Sequence, residues 1–100
     1  MDIDYKRISD AVKVGKAVEN GLINAREMVN IVQTANRFKS SIVLHADNKI
    51  VDVKSFLGLS ISLLASSTPY KLEVHGDDEE EAKIELKRAF EKYDIKIVVL

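Results

Sequence analysis

The 100 residues suffice for one compact domain with one core, and a chain that is 46% apolar and 31% charged has the balance of a globular protein, not a disordered one. Fifteen Lys and Arg stand against sixteen Asp and Glu, a formal net charge of −1, so the cationic footprint of a nucleic-acid or anionic-membrane binder is missing. Cysteine is absent, which excludes disulfides, thiolate metal sites and a cysteine nucleophile, and two histidines cannot build a metal site alone, so neither metal nor cofactor is expected. The start, MDIDYKRIS, has no apolar leader core, and no stretch approaches the roughly 18 apolar residues of a spanning helix, so the expectation is a cytoplasmic protein with no membrane partner.

Residues 11–18, AVKVGKAV, alternate Val12 and Val14 with Lys13 and predict a strand, broken by Glu19, Asn20 and Gly21. From Asn24 the apolar positions Ala25, Met28, Val29, Val32 and Ala35 form the stripe of an amphipathic helix. Asn24 with Glu27 three residues on makes an Asn-x-x-Glu variant of the capping box. SIVLHA at 41–46 and KIVDV at 49–53 flank Asp47 and Asn48, which tolerate the positive φ of a tight hairpin turn. Ile42 and Leu44 face the core while Val43 and His45 face the wetter side.

Ser55 caps a short helix through FLGLSISLL, which SSTP at 66–69 ends. That helix cannot bury Phe56, Leu57 and Leu59 on one stripe, which leaves apolar surface for docking. Tyr70 to Val74 alternate as a half-buried strand closed by His75 and Gly76. In DDEEEAKIELKRAFEKY the acids crowd a helix start, and Ala82, Leu86, Ala89, Phe90 and Tyr93 give the buried stripe. IKIVVL is a β-branched final strand that must pair with the domain's own sheet edge or with a neighbouring subunit. His45 and His75 read as surface or structural histidines with no caged carboxylate nearby in sequence.

The element order, with VENGLINAREMVNIVQTANRFKSSIVL, VDVKSFLGL and a strand ending in HGDDEEEA, resembles the histidine-containing phosphocarrier family, HPr, of the bacterial sugar phosphotransferase system. The likeness spans about residues 11–92, leaving 1–10 as an N-terminal extension and 94–100 as an extra strand of a single domain. It implies an α+β, open-faced β-sandwich in the order β-α-β-β-α-β-α, with an antiparallel sheet covered by helices on one face.

Against the family's NGLHARPA-like segment this chain reads NGLINAREM, which puts Asn24 where the phosphorylatable histidine stands, keeps the arginine as Arg26 and has Glu27 for the family proline. A carboxamide is not a phosphoryl-accepting nucleophile, and Glu27 sets negative charge where a phosphate would approach, so no catalytic residue is expected. Lys54 and Ser55 match the lysine and serine that open the family's second helix, where the serine is a regulatory phosphorylation site in Gram-positive relatives. Ser55 is thus either a plain cap or a regulatory serine, and Arg26 either a solvated charge or a holder of a phosphoryl group on it. Phe56 and Leu57 match the family's partner-docking patch.

Family members that lack the histidine and keep the serine act in carbon-catabolite regulation. The resemblance therefore implies a non-enzymatic regulatory module whose partners are proteins: a serine kinase/phosphorylase and a transcriptional regulator. The alternatives are an assembly domain that homodimerises through the C-terminal strand, and an atypical phosphocarrier.

Overall fold

The computed structural model describes residues 5–65 and 69–100. The elements run α1 (Tyr5–Glu19), α2 (Ala25–Asn36), β1 (Ser41–Ala46), β2 (Lys49–Asp52), α3 (Phe56–Ala65), β3 (Tyr70–His75), α4 (Glu79–Lys92) and β4 (Ile97–Val99). The four strands form one sheet in the order β2-β1-β3-β4. This is the expected α+β architecture, with two corrections.

The first concerns residues 11–18, which lie inside helix α1 and not in a strand. The alternation that suggested a strand also contains a helical pair, Val14 and Ala17, and these two residues are buried while Ile8 and Val12 are exposed. The place in the sheet beside β3 belongs to β4, not to this segment. Gly21, read as a strand breaker, is the stop of the helix. At φ 74° it directs its N–H to the Val18 carbonyl and that of Leu22 to the Ala17 carbonyl, the paired bonds of a Schellman cap.

The second concerns the sheet, which is mixed and not wholly antiparallel. β1 pairs antiparallel with both β2 and β3, whereas β4 runs parallel to β3, with Tyr70 opposite Ile97 and Leu72 opposite Val99. A C-terminal strand reaching β3 through α4 makes a crossover connection, which is compatible with parallel pairing. Asp94, at φ 60°, ends α4 with a second Schellman pair, Asp94 N–H to Glu91 and Ile95 N–H to Phe90. The final strand thus closes the domain's own sheet edge, one of the two pairings its composition required.

The sheet side of the core is as expected, but the stripe of α2 is shifted: Met28 and Ala35 are buried as read, whereas Val29 is exposed and Ile31, off the expected stripe, is fully buried. Ile42, Leu44 and Ala46 of β1 and Leu72 and Val74 of β3 point under the helices, where they meet Ile31 and Ala35 of α2, Leu59 of α3 and Ala82, Leu86 and Phe90 of α4. Asp47 takes φ 54° in the hairpin turn between β1 and β2. The SSTP stop expected after α3 falls largely outside the described residues.

α4 begins differently from expectation. Asp78 stands at its N-cap position without a side-chain bond to the helix. Its carboxylate instead accepts from the backbone N–H of Lys39 at 2.8 Å, from that of Ser40 at 2.9 Å, and from the Ser40 hydroxyl, tying the start of β1 to the turn after β3. These bonds, the Ser40 hydroxyl first, hold the Asp78 carboxyl below the ordinary carboxylate range. Among the described residues, no helix is long and apolar enough to cross a membrane.

Candidate functional site

Two helix starts and one helix flank build the site. Asn24 has an extended backbone, φ −87° and ψ 103°, and its Oδ1 accepts from the Glu27 N–H at 3.2 Å, so the side chain is engaged as the N-cap of α2. Arg26 projects from the first turn of α2 and is exposed. Glu27 is half-buried in the same turn and brings negative charge to the positive end of the helix.

The start of α3 is built by a compact turn. The Asp52 carboxylate accepts from the Lys54 N–H at 2.9 Å, the Ser55 N–H donates to the Asp52 carbonyl at 3.0 Å, and Ser55 Oγ accepts from the Gly58 N–H at 3.2 Å. Ser55 is therefore the helix cap the sequence suggested. Lys54 is half-buried and its ammonium donates to the Phe38 carbonyl at 2.8 Å, which fixes it over the end of α2. Asn36 Nδ2 donates to the Lys54 carbonyl at 3.2 Å, so α2 and the α3 turn are held as one unit.

Phe56 and Leu57 are half-buried, whereas Leu59 is fully buried. What covers the first two is α1, which the sequence did not place. Val14, Gly15 and Val18 border an apolar groove with Ala25, Phe56 and Leu57. Arg7 and Asp10 of α1 border a neighbouring cavity that includes Ser55, Leu57 and Gly58, with Lys49 of β2 on the far wall. Phe56 and Leu57 thus meet Ala25 at the start of α2 and Ser55 lines the adjoining cavity, with α1, read as a strand over 11–18, beside both, whereas Asn24 borders a different cavity with Glu27, Tyr70 and Tyr93.

A second polar cluster lies on the uncovered face of the sheet. Glu73 stands between two histidines, with Oε1 2.7 Å from His45 Nε2 and Oε2 2.6 Å from His75 Nε2. The hydrogen bonds from His75 and then His45 hold the Glu73 carboxyl below its ordinary range. Both histidines thus have a carboxylate partner, which for His75 lies two residues away in sequence and for His45 comes from the neighbouring strand. Glu73 is two residues from His75, hence on the same face of β3, and opposite Val43, two residues from His45 on the same face of β1.

The chain matches the family described as "PTS HPr component phosphorylation site" over residues 12–92. It is 40% identical over 70 residues to the HPr-like protein Crh of Bacillus subtilis, a match covering 70% of this chain and 81% of that protein. The phosphocarrier protein HPr of Treponema pallidum is 32% identical over 80 residues, covering 80% of this chain and 91% of that protein.

Among solved structures, Bacillus subtilis Crh, seen as an intertwined dimer with a swapping domain, superposes with a TM-score of 0.63 at 36% identity, covering 70% of this chain and 80% of that one. The HPr dimer of Thermoanaerobacter tengcongensis gives a TM-score of 0.63 at 42% identity, covering 71% and 82%. By the family match and by relatives of this identity and coverage, the chain belongs to the HPr family of the phosphotransferase system.

Proposed function

We propose that this protein is a regulatory protein-binding module of the phosphotransferase system that has lost histidine phosphocarrier activity and is switched by phosphorylation of Ser55. The observation that carries the reading is Asn24. Its side chain is a carboxamide occupied in capping α2, and Glu27 in the same turn repels an approaching phosphoryl group. Ser55 offers the remaining hydroxyl, at a helix N-terminus where a dianion is tolerated. Arg26, Lys54, Phe56 and Leu57 are the surface through which protein partners are read: a serine kinase/phosphorylase and a transcriptional regulator. The resemblance to Crh supports this, as does a net charge that favours neither nucleic acid nor anionic membrane. The protein works in the cytoplasm, without cofactor or metal.

The test separates the two phosphoryl chemistries. The pure protein is incubated with the general phosphotransferase components and phosphoenolpyruvate, and separately with the family's serine kinase and ATP, and intact mass is read with site localisation. A one-phosphoryl gain at Ser55 in the second reaction alone is the expected result. A gain in the first reaction overturns the loss of carrier activity, and no gain in either overturns the serine switch.

Self-association is a second reading, favoured by the dimers formed by the Crh and HPr relatives. Sedimentation velocity across a concentration series measures it, and an unchanging monomer mass removes it.

A further inference from the structure

The two cavities flanking Phe56, Leu57 and Ser55 share one wall, and that wall is α1. The same residues carry the proposed docking surface, and beside α1 they are half-buried.

Two features make α1 a separable cover. Its footing is narrow among the residues whose burial is described: Val14 and Ala17 are buried, while Ile8 and Val12 remain more than half exposed and Val18 is also exposed. A helix held by so few buried apolar groups belongs to the part of a protein that opens without global unfolding. It also has a defined pivot. Gly21, at φ 74°, ends α1, and Ile23, buried, anchors the chain directly before the cap of α2.

We propose that α1 is a built-in cap: docked on α3 it withholds Phe56, Leu57 and Ser55 from protein partners, and undocked it presents them. The inference rests on the docking and Ser55 reading above and adds its control. A kinase that must reach Ser55 Oγ acts on the open fraction alone, so the rate of Ser55 phosphorylation is proportional to that fraction.

Gly15 offers a clean way to shift this balance toward closure. It lies within α1, and a Cβ built there meets nothing within 4 Å, so Gly15→Ala strengthens the helix without disturbing its contacts. Val14→Asp acts in the opposite sense by placing a charge on the buried side of α1.

The experiment uses the full chain in three forms, parent, Gly15→Ala and Val14→Asp. Amide hydrogen exchange of α1 and α3 is followed beside Ser55 phosphorylation by the serine kinase with ATP, with β1 and β3 amides as the check on the fold. Val14→Asp is expected to raise exchange in α1 and α3 about tenfold and to speed phosphorylation similarly, with β1 and β3 unchanged. Gly15→Ala is expected to slow both about fivefold. If α3 exchange and Ser55 kinetics are the same in all three chains, the cap is overturned and the regulatory reading stands. If no form gains a phosphoryl group while α3 exchange follows α1, the Ser55 reading falls and the cap over Phe56 and Leu57 is supported.

Discussion

Asp78 shows what one carboxylate does in this fold. The acidic run 77–81 reads as a helix start, and α4 does begin there, but Asp78 spends both oxygens on Lys39 and Ser40, thirty-nine and thirty-eight positions away. No local pattern announces such a pairing. Gly76 is required by the same latch: at φ 152° it runs so close to the opposite segment that an added Cβ would lie 2.7 Å from Ser40 Cα. Because the folded carboxyl is held below its unfolded value, its stabilisation is complete above the ordinary carboxylate range and is lost as pH falls through the lowered folded value. Asp78→Asn is therefore expected to be less stable at neutral pH and to lose less stability on acidification below about pH 4. Urea midpoints measured from neutral to acid pH check this, and parallel curves for the two proteins would refute it. Glu73 titrates with the same sign, so part of the acid sensitivity persists in the variant.

Among the elements, those whose periodicity is unambiguous and whose neighbours are close in sequence were legible: α2, the β1–β2 hairpin, β3 and α4. The segment 11–18 was not, because Val12 and Val14 satisfy a period of two while Val14 and Ala17 satisfy a helix. Phe56 and Leu57 were readable as the apolar start of α3. Their cover was not, since it depends on where α1 goes. The start of α3 was legible down to its cap, and a prediction belongs to it. Ser55→Ala removes the acceptor for the Gly58 N–H and is expected to cost about 1 kcal/mol, whereas Ser55→Asp, itself a good cap, is expected to cost less. Thermal unfolding of the three proteins ranks them, and an alanine variant as stable as the parent would show that the hydroxyl does not hold the helix.

At the scale of the whole molecule, the question is which surface is kept from pairing. A sheet in the order β2-β1-β3-β4 would present the long strand β3 as an edge if β4 were absent, and β3 carries two of the fully buried or nearly buried core side chains, Leu72 and Val74. β4 is only three residues long, yet it takes up that edge: the Tyr70 N–H donates to the Lys96 carbonyl at 3.4 Å, the Leu100 N–H donates to the Leu72 carbonyl at 2.9 Å, and Ile97 is buried opposite Tyr70. An edge strand this short leaves little ladder for another chain to extend, which is one way a sheet avoids association. Deleting residues 95–100 is then expected to expose β3 and to turn the protein toward a concentration-dependent dimer or larger species, measured by sedimentation velocity beside the intact chain. If β4 instead joins two copies, the same deletion moves the mass the other way, from dimer to monomer. The direction of that change assigns the C-terminal strand either to guarding the sheet or to assembly.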